Sequence, residues 1–476
     1  MAAALAVVVV FPAVASGGQA PVRSVESLPL AGSLDPSFGS GGVVPQSPGA
    51  IALQPDGKIV VSSGVVLARY LPDGSLDPSF GTRGQVEMDV GAGVFGAPGA
   101  LALQPDGKIL VAGGSNYGST DQFTLARFDS NGSADSSFGT GGITNTVVPT
   151  SLHPPVYDPW GAGVAALAVL PNGEILAAGT ARWHGSGYDE EGGFVLARFT
   201  PAGSLDPAFG DGGIVEDVGG DADLAGMVVL PDGRIVATGT SYGGHPDYPP
   251  VIALAGYEPD GSSDFTYPVA VETGNLSGGP STLQHGKIVI AGSIQQHKQT
   301  FPLVARYRTN GLLDPTFGKH GYEEIRSLKD EAVEEAVVTQ PDGKILLTTG
   351  SAVVRLTPNG RLDPSFGQQG IETLPKGTNA SVLALQPDGN ILVGGSALMR
   401  LIGGNNCIVP SLRGTTLPKA RATLKTSYCR SGRIAKQFSS KVTRGRVIST
   451  VPKSGSRLHG GATVELVVSR GKHALR

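Results

Sequence analysis

Three short signatures each return seven times along the chain, and an internal repeat of this kind restricts the fold more than any overall composition can. The first is a turn, Gln54-Pro-Asp-Gly-Lys-Ile59 and its copies, whose glycines stand at 57, 107, 173, 233, 286, 343 and 389. Successive copies are 50, 66, 60, 53, 57 and 46 residues apart. The second is a strand of the type Leu67-Ala-Arg-Tyr70, returning at Leu125, Leu196, Leu254, Val304, Val353 and Leu398. The third is Leu34-Asp-Pro-Ser-Phe-Gly39, returning at Leu76, Ala134, Leu205, Leu313 and Leu362, with a worn copy at Ser263–Tyr267.

One repeat shows the local physics. Ala100–Gln104 reads as a short strand A, and Pro105-Asp-Gly107 as a turn in which proline presets φ and glycine accepts φ > 0. Lys108–Gly113 is an apolar strand B, Phe123–Phe128 a strand C, and Gly142–Val147 a strand D. Four antiparallel strands per repeat of about 50 residues is the content of a propeller blade, and one such sheet cannot bury both faces alone. Strands A, B and C occur seven times each, but the last copy, ending at Leu398–Leu401, has no D strand. An orphan D strand, Gly42-Val-Val44, stands instead before the first copy. The fold expected is an all-β, seven-bladed β-propeller with the N-terminal strand completing the C-terminal blade, which removes exposed sheet edges. A linear solenoid is the alternative, and repeat lengths from 46 to 66 residues argue against it.

The repeat resembles the delta-sixty β-propeller repeat of bacterial surface and secreted proteins, in its turn and in its Leu-Asp-Pro-Ser-Phe-Gly tail, over residues 30–404. The resemblance implies a propeller and brings no catalytic residues with it. Glycine (71) and proline (35) are abundant, yet 40% hydrophobic residues supply enough apolar surface for a core. The net charge of −4 hides a division: Asn405–Arg476 carries +14 and the remainder −18. An acidic body and a basic tail suit different partners. Residues 1–20, an apolar run ending in Ala13-Val14-Ala15, read as a secretory signal peptide without its basic start. An uncleaved N-terminal anchor is the other reading; no later stretch is apolar enough to cross a bilayer. The chain is therefore expected to be secreted or extracellular and cell-wall associated.

In such a ring the A–B and C–D connections share one face, and the B–C and D–A connections the other. The Asp-Pro-Ser-Phe-Gly segments read as structure: aspartate caps a turn, phenylalanine fills the gap between blades, glycine permits the bend. Asp73 and Asp77 lack the Asp-x-Asp-x-Asp spacing of a calcium loop, so no metal is expected. Variation concentrates on the opposite face, where Ser115–Gln122, Ala181–Gly193, Ser241–Pro250 and Ile294–Thr300 read as long B–C loops. With the D–A loop before Gly161 they bring Tyr157, Trp160, Trp183, His184, Tyr188, Asp189, Tyr242, Asp247 and Tyr248 to that face. Exposed aromatics beside carboxylates suit glycan stacking or a protein contact; loops that merely pack themselves down account for them equally well. Histidines are scattered without ligand spacing, the Glu190-Glu191 pair sits on one loop, and Gly-rich segments do not lead into helices. The expectation is a protein that is not an enzyme and needs no cofactor. A propeller hydrolase or lyase acting on extracellular carbohydrate is the alternative.

From residue 405 to 472 the composition changes. Thr416–Lys425 has Leu417, Ala420 and Leu424 at helical spacing, and Arg446–Val451 and Thr463–Ser469 read as a hairpin after it. This small basic α+β unit resembles a PASTA domain, in Val409-Pro410, Leu412-Arg-Gly414, Val447-Ile-Ser449, Pro452, Gly455 and Val464–Ser469. The resemblance implies affinity for peptidoglycan; the positive charge adds attraction to anionic wall polymers and leaves nucleic acid a weaker partner. Cys407 and Cys429, the only cysteines, bracket the helix and in an exported chain are expected to form a disulfide, free thiols being the alternative.

Overall fold

The computed structural model describes residues 31–472 except 89–93, 96–99, 118–119, 149–162, 185–189, 218–221, 243–248, 270–274, 332, 405–406 and 459–461. The signal-peptide expectation for residues 1–20 lies outside these. No helix among the described residues is long and apolar enough to cross a membrane.

The first repeat shows how the sequence makes its sheet. Ala50–Leu53 runs into the turn at Gln54, where Gly57 takes φ +90° and its N–H donates to the Gln54 carbonyl at 2.9 Å. The Asp56 carboxylate accepts the Lys58 N–H, closing the turn, and Ile59–Ser63 returns alongside with Leu53 opposite Ile59. Val66–Tyr70 and Gln85–Glu87 complete an antiparallel meander. The second strands are buried on both faces, as Ile59, Val60 and Val61 show, which explains why they read as unbroken apolar runs. Seven sheets of this kind form among the described residues, the second gaining an extra strand at Val94–Phe95. Each innermost strand packs against its successor, and the last, Ala380–Leu385, packs against Ala50–Leu53, so the row closes on itself. Val43 and Val44 pair with Met399 and Leu398, putting the N-terminal strand on the outside of the final sheet.

The third signature forms the joints between sheets. The Arg127 guanidinium lies 4.5 Å over the Phe138 ring, donates to the Asp135 carboxylate at 2.6 Å and reaches the Pro201 carbonyl of the next sheet at 2.5 Å. Phe138 is fully buried against the Gly203 turn of that next sheet, where a Cβ would approach its ring to 2.7 Å. The Gly139 N–H also crosses, to the Ala202 carbonyl. Arg69–Asp77–Phe80, Arg198–Asp206–Phe209, Arg306–Asp314–Phe317 and Arg355–Asp363–Phe366 repeat the unit. Arg400 pairs across the chain's two ends, with Asp35 and Phe38. Aspartate as turn cap and phenylalanine as gap filler are both seen, and arginine is the third member.

The fourth sheet departs from this scheme. Gly256 occupies the arginine position, and the worn signature at Ser263–Tyr267 is part of a continuous strand, Ser263–Val269. Its seam with the fifth sheet is closed from the channel side by hydroxyls. The Thr240 hydroxyl donates to the Gly278 carbonyl at 3.0 Å and accepts the Gly278 N–H at 2.9 Å, and Thr238 donates to Ser281 at 3.0 Å. Behind them Val228, Leu230, Ile252 and Leu254 pack with Ile288, Ile290, Leu303 and Tyr307.

Three expected loops are largely strand. Ile109–Tyr117 pairs with Thr120–Phe128, Ile175–His184 with Glu190–Phe199, and Lys287–Gln296 with Gln299–Tyr307. The reason is cross-strand pairing: polar but extended residues such as Thr300 opposite Gln295 continue a ladder that the apolar core begins. His297 and Lys298, both at positive φ, make the whole of the last connection. Of Ser241–Pro250, Ser241 ends strand Ile235–Ser241, and Tyr242, Pro249 and Pro250 are the described residues between it and Val251–Tyr257.

The C-terminal unit holds helix Leu417–Thr426 and a sheet in which Arg430–Gln437 runs parallel to Thr463–Ser469, with Val447–Val451 antiparallel on the other side. The expected hairpin is present, and Arg430–Gln437 is an addition, since its polar sequence carries no alternation. Ala420 and Leu424 of the helix bury against Val447, Val464 and Leu466. Cys407 and Cys429 form the disulfide.

Candidate binding surfaces

The innermost strands enclose a central cavity of about 820 Å³. Its wall is small and mostly uncharged: Ala50, Ile51, Leu101, Ala165, Met227 and Val338 on the apolar parts, Thr180, Ser277 and Ser281 on the polar ones. Asp223 is the one titratable side chain among the described lining residues. It accepts a hydrogen bond from the hydroxyl of Tyr242 at 3.3 Å, which places Tyr242, 40% exposed, beside the cavity on the B–C face.

The other aromatic candidates are less fully placed. Trp183 and His184 lie at the end of strand Ile175–His184, opposite Glu191 and Glu190. Tyr157, Trp160, Tyr188, Asp189, Asp247 and Tyr248 lie outside the described residues. The structure therefore brings Tyr242 and Asp223 together, a contact the sequence did not signal because Asp223 opens an innermost strand, Ala222–Val229.

On the opposite face the repeated aspartates are engaged. The Asp77 carboxylate receives Arg69 at 2.8 Å, Lys58 at 3.3 Å, and the Ser79 hydroxyl and N–H at 2.7 and 3.0 Å. Burial alone would raise its pKa; the Ser79 hydrogen bonds and the two cations reverse that and hold it well below the usual carboxylate range. Asp363 follows the same logic, its pKa lowered to about 2 against the cost of burial by Ser365, Arg355 and Lys344. These are structural ion pairs, and among the described residues no three His, Cys, Asp or Glu side chains group as metal ligands.

The C-terminal unit presents the second surface. Its described lysines and arginines are exposed: Lys419, Arg421 and Lys425 on the helix, and Arg430, Arg433 and Lys436 on the strand after it. Arg470 covers the half-exposed Phe438 ring at 4.6 Å. Glu465 is the sole acid in this unit. The surface is thus cationic and can attract polyanions over roughly a Debye length, about 8–10 Å near physiological salt.

Comparison with known proteins divides the chain at the same place. Residues 54–80, 104–138, 170–209, 286–317 and 340–366 match the DUF5122 β-propeller, a domain of unknown function. Residues 408–470 match the PASTA domain. The chain is 35% identical over 100 residues to a probable serine/threonine-protein kinase of Clostridium acetobutylicum, covering 20% of this chain and 15% of that protein. It is 32% identical over 79 residues to the probable serine/threonine-protein kinase PknB of Lactococcus lactis subsp. lactis, covering 16% and 13%. The chain thus spans about one seventh of the length of these relatives. Among solved structures, the polysaccharide lyase Uly1 aligns with TM-score 0.41 at 12% identity, over 80% of this chain and 94% of that one. A gluconolactonase from Xanthomonas campestris aligns with TM-score 0.36 at 13% identity, over 76% and 88%. Likeness at this level carries no argument about activity.

Proposed function

For a chain that joins DUF5122 β-propeller repeats to a C-terminal PASTA domain, we propose a secreted, non-catalytic binding or scaffold protein of the bacterial cell wall. The propeller is a closed ring of seven blades over residues 30–404 that presents its B–C face for a glycan or protein, and residues 405–472 associate with peptidoglycan or anionic wall polymers. The observation that carries this reading is the PASTA match on a compact, disulfide-bonded unit whose described cations are all exposed. PASTA domains as a class bind peptidoglycan-related ligands. A disulfide fits an oxidising, extracytoplasmic location.

The non-catalytic part rests on the cavity. General acid–base chemistry needs two positioned proton carriers, and its described lining offers one carboxylate. The test is a pull-down of the whole protein on purified peptidoglycan, with and without its anionic polymers, across salt. Binding that weakens as salt rises and vanishes on deletion of 405–472 is expected. Retention by the ring alone, or none by the whole chain, would refute the assignment of wall binding to the PASTA domain.

A further inference from the structure

Resting on the reading that the ring takes a glycan at its B–C face, we propose that the central channel holds the end of that glycan, an uncharged one, with its hydroxyl edge on the third to fifth sheets. The cavity of about 820 Å³ falls within the roughly 300–1,000 Å³ of small-ligand sites. Its two sides differ. Apart from Ser381, every polar side chain of the described lining comes from three neighbouring sheets: Thr180 from the third, Asp223 from the fourth, and Ser277, Ser281 and Ser293 from the fifth. Ile51, Leu101, Val338 and Val382, from the first, second, sixth and seventh, stand on the other side. A sugar ring has the same division, an edge of hydroxyl donors and acceptors and a face of C–H groups. The described lining holds one carboxylate and no cation, so it suits hydrogen-bond donors on the ligand and would bury an anion without a counter-charge.

The backbone is bent to make this lining. Val164 stands opposite Gly179 and Ala166 opposite Ala178, so Ala165 is an extra residue with no counterpart across the sheet. Ala225 and Ser381 are extra in the same way in the fourth and seventh sheets, and Gly279 with Pro280 in the fifth. All of these residues line the cavity. Such bulges bend a strand and re-aim its side chains, and they gather beside binding sites. Two glycines admit the bent strands: a Cβ on Gly239 would meet the Asp223 carbonyl at 1.9 Å, and one on Gly292 the Ser277 carbonyl at 2.1 Å. Asp223 and Ser277 thereby take equivalent positions on neighbouring sheets, each two residues before its bulge. From the third sheet the Thr180 hydroxyl accepts the Leu224 N–H at 2.8 Å, beside Asp223. The Tyr242 hydroxyl donates to the Asp223 carboxylate at 3.3 Å, which sets a 40% exposed aromatic residue at the mouth, where the next sugar can stack.

Titration calorimetry of the whole protein with chitohexaose and cellohexaose, both uncharged, and with an oligogalacturonate tests this. At least one uncharged probe is expected to bind, and the acidic one not. Ala165→Trp fills the channel from an exposed position of its wall and should weaken binding about tenfold or more. Asp223→Asn keeps an acceptor for Tyr242 and should weaken it about threefold. The thermal transition of the ring checks that both variants fold. Failure of both uncharged probes to bind, or tighter binding of the oligogalacturonate, overturns the proposal. So does binding that survives Ala165→Trp and falls in Trp183→Ala, which would leave the sugar on the outer loops and spare the reading of that face. Binding that survives Ala165→Trp and is lost on deletion of 405–472 overturns it too, placing the sugar on the PASTA domain. Shortening of a probe that Ala165→Trp abolishes would support the channel site and refute the non-catalytic reading instead.

Discussion

Arg355 is 1% exposed in its side chain and pairs with Asp363 at 2.8 Å, so its removal leaves a buried carboxylate without its main counter-charge. Arg355→Leu is expected to lower unfolding free energy by about 3–5 kcal/mol, and the double change with Asp363→Leu to recover much of it, as buried pairs replaced together commonly do. Urea titration of the three variants measures both. The lowered pKa of Asp363 sets the sign with acidity: its contribution is complete above the unfolded value of 3.8 and is lost as pH falls towards about 2. Glu372 behaves in reverse. It occupies the D-strand register held by Val44, Val86 and Val215 in other sheets, opposite Val353. Burial raises its pKa, so its carboxylate costs stability increasingly as pH rises through that raised value. Glu372→Val should be more stable than wild type by up to about 1 kcal/mol at neutral pH, with the gap closing near pH 4. Equal melting temperatures at neutral pH would contradict it.

At the level of strands and turns, much was readable beforehand. The turn signature located all seven A–B connections because Gly57 and its copies need positive φ, and the missing last D strand pointed to Val43 beside Met399. Helix Leu417–Thr426 differs from its expected bounds by one residue at each end. Three things were not readable. The hairpin ends at Tyr117 and His184 are polar, and only pairing with the opposite strand makes them extended. Arg430–Gln437 owes its strand to parallel pairing with Thr463–Ser469. The Arg–Asp joint joins two visible signatures eight residues apart, but the crossing to the next sheet is a long-range contact with no local trace. The candidate site was legible only as a face: Tyr242 stands on it, its partner Asp223 was hidden in an apolar-looking strand, and six of the nine residues fall outside those described. The PASTA unit depends on its cross-link. Reduction of Cys407–Cys429, which spans 22 residues, should lower that unit's stability by about 3 kcal/mol, seen as a downward shift of its calorimetric transition alone.

Considered whole, the molecule divides its labour by charge, an acidic ring against a basic appendage, with Asp223 the one titratable side chain among the described residues of the ring's inner wall. Its seven sheets are not joined alike. Six seams hold an arginine–aspartate pair; the one between the fourth and fifth sheets is sewn by threonine and serine hydroxyls to backbone and to each other. Protonating Asp35, Asp77, Asp135, Asp314 and Asp363 therefore loosens the five seams they close and leaves the hydroxyl-sewn seam untouched. In strong acid the ring should open at the aspartate seams first and leave the fourth and fifth sheets joined; early release of the fourth sheet from the fifth, as followed by pepsin fragment mapping, would disprove it. A circle with one dissimilar stitch does not come apart evenly: the solvent decides which arc is released and which stays whole.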